Sequence, residues 1–449
     1  MFKIGLLLNN KGANISSISE SVDDRLSGLP QDILSHILSL IPMKSAVQTS
    51  ILSKRWRYSW MFVTNLDFDD IHSDPIHGLD ILLNFVDRAL ESRQMSQVEL
   101  FRLHFSKIRA PVSKVSSWID WAVRLNVREF DIHVIRLELP LSLLTCKTLT
   151  KLSIGLSGRM YHIWGPQSPV NLPCLKTLDI VLWKTPFLIA FNLIHGCPVI
   201  ENLSLEVKDC GDEKEFKYNI PTLKRLKLTY AYVTKDVRNK VVLNVPNLVY
   251  LFVGGVLYSS FVMEDLSSLI EASVSIREKE YRCYLLDGLL KGIRGVQSLS
   301  LQCASFHLID ISARDLRLPV FSNMKHLELK DIWEPKLILK LLHCSPQLEH
   351  LCIEKNPNDF WSYPKWVPAC VRRSLTTLKY LKCDGRKYDM ELLKYLLRNA
   401  EVLKMVTITW ENLRIKEQKR LAAQMLNFPR TSRCCEIQFL VVSIILLYY

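Results

Sequence analysis

A six-residue pattern, apolar-x-x-apolar-x-apolar, recurs along most of this chain and limits the folds that it can adopt. The fourth and sixth positions of each copy alternate as they would on one face of a short strand. Successive copies begin 21 to 30 residues apart, with a mean near 25. No unit of this length can bury its apolar face alone, so the copies are expected to stack into one array. The thirteen copies begin at Val98, Val127, Leu149, Leu175, Ile200, Leu223, Leu248, Leu269 (weakly), Val296, Met324, Leu348, Leu378 and Leu403.

This period and pattern are typical of leucine-rich repeats. They predict an α/β solenoid of about 12–13 repeats, occupying residues 66–365 and continuing beyond them. The uneven spacing indicates that the convex-side segments differ in length, some being helices and others loops. Charged residues at 209–215 and a proline-bearing aromatic stretch at 355–364 are predicted to be loops at the rim, where binding residues often lie.

Three short amphipathic segments precede the repeats, within residues 23–62. Pro30 stands where a helix would begin and its missing N–H would cost nothing, and Pro42 ends that helix. The apolar residues of the first segment follow helical spacing at Ile33, Ile37, Leu38 and Ile41, and a third helix is predicted to align Leu52, Trp56 and Trp60. So many large apolar residues predict a three-helix module with an apolar face left over for a partner.

Two blocks of this module resemble the F-box family that is abundant in plants. They read LPQDILSHILSLIP at 29–42 and AVQTSILSKRWR at 46–57, and Ser59 departs from the leucine that is more usual there. The resemblance covers a domain at 23–65 and implies docking on a Skp-type adaptor and, through it, a cullin of a ubiquitin ligase. Carried over by position, the implied adaptor contacts are Leu29, Pro30, Ile33, Ile37, Val47, Leu52 and Trp56.

The region from Trp366 resembles the FBD region that follows F-box and leucine-rich segments in many plant proteins. The matching stretch is 366–408, within a domain expected at 366–438. It predicts a strand, then an amphipathic helix whose buried stripe is formed by Leu392, Leu393, Leu396 and Leu397, and a further helix over 412–427. We expect this FBD-like region to cap the array by covering its apolar end.

The two ends of the chain carry weaker signals. Residues 1–22 are predicted to be an unstructured leader. Residues 439–449 form an apolar run of 11 residues without charge, shorter than the roughly 20 that a spanning helix needs. Three interpretations of this tail stay open: a last buried strand, a tail that touches a membrane, or an artefact of the gene model.

Composition narrows the classes of partner and compartment. The net charge is +13, but the basic residues are scattered and form no run typical of a nucleic-acid-binding arm. Twelve cysteines contain no CxxC pair, which disfavours zinc fingers and favours free thiols in the cytoplasm, the nucleus or both. A metal site at His343, Cys344, His350 and Cys352 is disfavoured because these residues occupy variable repeat positions.

No glycine-rich phosphate loop, nucleophile elbow or metalloprotease helix is present, so neither catalysis nor a cofactor is predicted. The hypothesis is a non-catalytic substrate-recognition subunit, whose concave strand face binds a target protein. Two alternatives stay open: a receptor that senses a small anion, and an interaction scaffold in which the helical module is only a cap. The variable strand residues predicted to contact the target are Lys176, Glu201, Lys224, Arg225, Tyr250, Lys325 and His326.

Overall fold

A computed structural model describes most of the chain after the first 27 residues. Three predicted segments lie outside the described residues: the leader, the two rim loops apart from Glu215, and the tail beyond Leu440. The described ranges are 28–74, 77–93, 97–157, 170–183, 187–208, 215–232, 239–256, 259–276, 283–303, 317–331, 335–354, 366–411 and 413–440.

The N-terminal module contains three helices, α1 (Gln31–Leu38), α2 (Met43–Gln48) and α3 (Trp56–Ser59). The third is one turn long, so the prediction of a helix aligned from Leu52 to Trp60 is wrong in its extent. Single 3-10 turns at Thr49–Ile51 and Trp60–Phe62 flank it. At the start of this helix, the backbone N–H of Trp56 donates to the Ser53 hydroxyl at 3.4 Å.

Fifteen parallel strands then form one sheet in nearly sequential order. Residues at the same position of the repeat pattern are direct partners on neighbouring strands. Examples on three successive strands are Leu203, Leu226 and Leu251. All three are almost fully buried, so the apolar positions form one core that runs the length of the sheet. The strands of this sheet, in order, are β1 (Asn65–Asp69), β2 (Leu100–Phe105), β3 (Glu129–Val134), β4 (Lys151–Ser157), β5 (Thr177–Trp183), β6 (Asn202–Lys208), β8 (Arg225–Tyr232), β10 (Tyr250–Gly255), β12 (Glu271–Ile276), β13 (Ser298–Cys303), β14 (His326–Asp331), β15 (His350–Glu354), β16 (Thr377–Cys383), β17 (Met405–Trp410) and β18 (Glu436–Leu440).

The thirteen predicted copies correspond to β2 through β6, β8, β10 and β12 through β17, and the structure adds a strand at each end. One copy was placed in the wrong register. Leu351 pairs with Leu378, so this copy begins at Leu375 and not at Leu378. The sequence offers two overlapping frames here, but only the observed one buries Leu375, Leu378 and Tyr380 completely.

The connections between strands are irregular, as their uneven lengths indicate. Three of them carry strands instead of helices, β7 (Glu215–Asn219), β9 (Asn239–Asn244) and β11 (Ser259–Asp265), which form a second parallel sheet in the order β11-β9-β7. The remaining helices are α4 (Leu79–Glu91), α5 (Val112–Arg124), α6 (Leu141–Leu144), α7 (Phe187–His195), α8 (Cys283–Gly292), α9 (Pro335–His343), α10 (Ala369–Arg373), α11 (Lys387–Asn399) and α12 (Ile415–Leu426).

The C-terminal region continues the main sheet through β16, β17 and β18. Helix α11 buries the predicted stripe of four leucines, each at most 2% exposed. The first two residues of the apolar tail belong to β18, where the Phe439 ring stacks on Trp410 with centroids 5.6 Å apart. In the described part of the chain, no helix is both long and apolar enough to cross a membrane.

Candidate protein-binding surfaces

Helix α1 carries two apolar stripes that face different surroundings. Leu34 and Leu38 are fully buried and hold the helix against the rest of the module. Ile33 is 46% exposed and Ile37 is half-buried, although both are as apolar as the inner pair. Pro30 precedes the helix as its N-cap and is itself exposed. The outer stripe therefore contributes apolar surface that the described part of the fold leaves uncovered.

The second block of the module shows the same division. Met43, Ala46 and Trp56 are buried, whereas Leu52 is 66% exposed. Six of the twenty large apolar side chains that are exposed in the described part of the chain lie in this short module. Such a concentration is typical of a binding surface, because scattered exposed apolar residues are normal but clustered ones are not. These six are Ile33, Leu40, Ile51, Leu52, Tyr58 and Phe62.

The predicted adaptor contacts thus fall into three classes of exposure. Pro30, Ile33 and Leu52 are exposed. Leu29, Ile37 and Val47 are half-buried. Trp56, at 6% exposure, lies in the interior of the module, where it supports the outer residues.

Arg93 connects the N-terminal module to the first repeat. The sequence pattern did not predict this role. Its guanidinium donates to the carbonyl oxygens of Trp60 at 2.5 Å and Val63 at 3.1 Å, and it approaches the Met43 sulfur at 2.8 Å. It also lies over the Trp60 ring, 5.6 Å from the centroid. Burial lowers the pKa of Arg93 to about 9. A single arginine after α4 gives no sequence pattern from which this role could be inferred.

The outward-facing strand residues of the main sheet form its open face, which carries the predicted target contacts. Arg225, Tyr250 and His326 occupy the same register position on β8, β10 and β14. Four other predicted contacts each come one residue before the first residue of a strand, and they form a second row beside these positions. They are Lys176, Glu201, Lys224 and Lys325. The structure therefore brings five of the seven together on β5 to β10, and places Lys325 and His326 on β14, beyond two intervening strands.

Cations stack on aromatic rings in the middle of the open face. The Arg225 guanidinium lies 4.4 Å from the Tyr250 ring centroid, and Lys227 lies 5.4 Å from that of Phe252. Among the described residues, no carboxylate oxygen lies within 4.0 Å of either cation, whereas Lys224 pairs with Glu201 at 3.0 Å. Gly254 makes room for the Phe252 ring, since a Cβ there would lie 2.5 Å from it. Lys227 and Phe252 were missed because their common face depends on strand register.

The second group of predicted contacts forms a histidine pair. The rings of His326 and His350 stack with centroids 4.4 Å apart, and Lys325 pairs with Glu349 at 3.0 Å. Burial and the neighbouring His350 lower the pKa of His326. Cys352 lies on the same strand as His350, but His343 ends helix α9. In the described ranges, these residues do not form a cluster of three potential metal ligands.

A different polar cluster on β2 and β3 was not predicted. His104 Nε2 lies 3.0 Å from Asp131 Oδ1, and His133 Nε2 lies 3.3 Å from the same oxygen. Arg102 Nε donates to Asp131 Oδ2 at 3.0 Å and its Nη1 reaches Asp67 at 3.1 Å. Burial alone would raise the pKa of Asp131, but the two neighbouring histidines and Arg102 hold this pKa well below its usual range. Alternation along the strands could have revealed this common face once their register was known.

One small cavity lies away from the open face. Its volume is about 150 Å³, and it is lined by residues of α7 and β7, including Phe191, His195, Lys217 and Tyr218. With one lysine in its lining, it lacks the convergent cations that a small polyanion would need.

Three parts of the sequence match known families. Residues 26–65 match the F-box domain, residues 115–273 match the leucine-rich repeats of the FBD-associated F-box protein At5g56370, and residues 364–408 match FBD.

Similar proteins in Arabidopsis thaliana match this chain along nearly their whole length. The F-box/LRR-repeat protein At3g59200 is 29% identical over 92% of this chain and 88% of its own length. The F-box/FBD/LRR-repeat proteins At1g78750 and At4g26340 are each 28% identical over 93% of this chain, and over 96% and 100% of their own lengths. The order of the three matched regions agrees with that of the elements described above.

Proposed function

We propose that this chain, which belongs to the plant F-box/leucine-rich-repeat/FBD proteins, is the substrate-recognition subunit of an SCF-type ubiquitin ligase. Its F-box binds a Skp-type adaptor, and through it a cullin, while the open sheet face binds a target protein. The chain supplies no catalytic group in this role. It accelerates transfer by raising the effective concentration of target lysines near the charged conjugating enzyme. We place this assembly in the cytoplasm, the nucleus or both.

The observation that carries the adaptor half of the proposal is the uncovered apolar surface of the F-box. Burying each large apolar side chain contributes about 1.5–3 kcal/mol, and few positions usually dominate an interface. Ile33 and Leu52 are the strongest candidates because they are exposed without supporting the module's own core. Trp56 acts indirectly by holding the outer residues in place.

For the target half, the support comes from the open face. Arg225 and Lys227 project beside aromatic rings and, among the described residues, have no carboxylate oxygen within 4.0 Å. A cation held against a ring is pre-positioned and pairs well with an incoming carboxylate or phosphate. We therefore propose that the target presents an acidic or phosphorylated segment to β8 and β10.

Adaptor binding is tested by co-purification of the full chain with a Skp-type adaptor. We expect the wild type to be captured and the variant Ile33→Ala/Leu52→Ala to lose most of its affinity. Ile81→Ala is the matched control, because Ile81 is 73% exposed on α4 outside the module. Failure of the folded wild type to bind would favour the scaffold, in which the F-box is only a cap.

A second measurement separates target recognition from anion sensing. An immobilised oligo-glutamate peptide should retain the wild type, and Arg225→Ala/Lys227→Ala should not be retained. Lys151→Ala, on the same face but paired with Glu129, is the control. If pyrophosphate alone raises the midpoint of thermal unfolding through the same two cations, the anion-sensing alternative gains support. Equal retention of all variants would rule out this surface.

A further inference from the structure

The cluster of His104, Asp131 and His133 occupies the open face near the N-terminal end of the sheet. His104 and His133 are direct register partners on β2 and β3, and Asp131 lies two residues before His133 on the same face. Their potential ligand atoms all lie within 4.8 Å of one another. No other group of three such residues does so in the described ranges of the chain.

The distances within the cluster suit a metal ion. Zinc bonds of about 2.0–2.2 Å to nitrogen and oxygen place neighbouring ligand atoms about 3.0–3.6 Å apart in tetrahedral or octahedral geometry. The observed separations from Asp131 Oδ1 are 3.0 Å to His104 Nε2 and 3.3 Å to His133 Nε2. The same nitrogen of His133 lies 3.1 Å from the Ser153 hydroxyl. The two imidazole nitrogens lie within 4.8 Å of each other, so rotation of the rings would bring the three ligand atoms around one ion.

The charges around the cluster also suit a cation. Arg102 contacts both Asp131 and Asp67, so two carboxylates face one guanidinium. Arg102 binds Asp131 through Oδ2 and leaves Oδ1 to face the two imidazoles. Partners of this kind orient the groups that ligate a metal directly. The carboxylate is thus held in place by the arginine without being blocked.

We propose that His104, Asp131 and His133 bind a divalent transition-metal ion of the zinc class on the open face. Two imidazoles and one carboxylate suit zinc, copper or nickel better than calcium or magnesium, which prefer oxygen ligands. The imidazole side chains are 42% and 37% exposed, but His104 Nε2 itself is buried and, in the described part of the chain, has no hydrogen-bond partner. A buried nitrogen without a partner beside a carboxylate is a group that a bound ion would satisfy. The site does not depend on the proposed ligase role, because its three ligands all belong to the repeats.

The space around His133 is adapted to the ring. A Cβ at Gly155 on the neighbouring strand would lie 3.1 Å from His133 Nδ1, closer than an ordinary contact. A glycine at this position leaves room for the imidazole, whose Nε2 lies 3.3 Å from Asp131 Oδ1. Gly155→Ala should therefore weaken metal binding without removing a ligand.

The test is titration of the full chain, stripped of metal with a chelator, with Zn²⁺ by calorimetry and with Co²⁺ by absorption. We expect one equivalent to bind, with a cobalt spectrum that lacks a thiolate charge-transfer band. His104→Ala, His133→Ala and Asp131→Asn should each weaken binding at least about tenfold. His326→Ala and His350→Ala are matched controls, since this pair lies on the same face but, among the described residues, belongs to no group of three potential ligands.

Three results would overturn the proposal. The wild type could fail to bind either ion, His104→Ala/His133→Ala could bind as tightly as the wild type, or a thiolate band could assign the metal to cysteines. Circular dichroism of each variant verifies its fold, and the half-exposed ligands make misfolding of the single variants unexpected. Adaptor capture is unaffected in each case, so failure here is distinguishable from failure of the proposed function.

Discussion

At the scale of single residues, buried polar groups decide how the F-box and the repeats are joined. Arg93 provides three contacts to the F-box from the chain that follows α4. The Trp60 carbonyl oxygen also accepts from the Val63 N–H at 3.4 Å in the last turn of the module, whereas Val63 lies just after that turn. The arginine thus gives Trp60 a second donor and supplies a donor to Val63.

We predict that Arg93→Met lowers the free energy of unfolding by about 1–3 kcal/mol, because the Val63 carbonyl would lose its arginine donor and an unpaired buried carbonyl costs about that much. Thermal unfolding followed by circular dichroism measures this loss. Arg57→Met is the control, since Arg57 is exposed in the same module and its loss should be nearly neutral. Equal effects of the two substitutions would show that Arg93 does not join the two parts.

At the scale of secondary-structure elements, a helix packs against its neighbours on one side and faces solvent or a partner on the other. Helix α1 does so with two parallel stripes, each repeating every four residues. Helix α11 instead buries its leucine stripe and, in addition, a carboxylate near its start. Asp389 is 1% exposed and accepts hydrogen bonds from Tyr380 and from the backbone of Asp384 and Gly385.

For α1, we predict opposite effects of neighbouring substitutions. Leu34→Ala should lower the free energy of unfolding by about 2–5 kcal/mol, since it leaves a cavity in the core. Ile33→Ala should change it by less than about 0.5 kcal/mol while weakening adaptor binding by at least about 1 kcal/mol. Thermal unfolding and adaptor titration on both variants separate the effects. Loss of stability in Ile33→Ala would contradict the assignment of the outer stripe.

For the turn between β16 and α11, we predict a dependence of stability on pH. Burial, and then the neighbouring Asp384, raises the pKa of Asp389 from 3.8 to about 6. Between these two values the folded chain holds a proton that the unfolded chain has lost, so this residue's contribution to stability falls as pH rises from about 4 to about 6. The full change is about 3 kcal/mol at 1.36 kcal/mol per pKa unit.

This dependence is measured as the midpoint of thermal unfolding at a series of pH values. Asp389→Asn keeps a carbonyl acceptor but does not titrate, so its profile should be flatter than that of the wild type between pH 4 and 6. Profiles of equal slope would indicate that other groups cause the dependence.

At the scale of the whole molecule, stability is shared along one uninterrupted sheet. Each repeat contacts its neighbours, and the apolar register continues from β1 through β18 without a gap. The FBD-like region is therefore part of the same sheet, to which it contributes β16, β17 and β18. Removal of these strands would expose the edge of β15 together with the core beneath it.

We predict that a chain ending at residue 365 aggregates or unfolds at a lower temperature than the full chain. A chain ending at Leu440 is the control, because it keeps every described strand, and it should match the full chain. Size-exclusion chromatography and thermal unfolding compare the three proteins. A monomeric, equally stable chain ending at residue 365 would show that the FBD-like region is an independent unit.

The sequence by itself determined the period of the array, the inward residues of nearly every strand and the position of the F-box. These properties depend on local spacing, because alternation along a strand and recurrence along a helix are visible in one dimension. The buried leucine stripe of α11 was predicted for the same reason.

Only the tertiary structure decided which outward residues become neighbours. His104 and His133 are 29 residues apart in the chain, and the parallel register alone places them side by side. Contacts between distant segments likewise decided three other features. These are the residue at which the repeat copy of β16 begins, the partners of Arg93 and the stacking of Lys227 on Phe252. Local patterns carry no information on such contacts, since strand register depends on packing of the whole core.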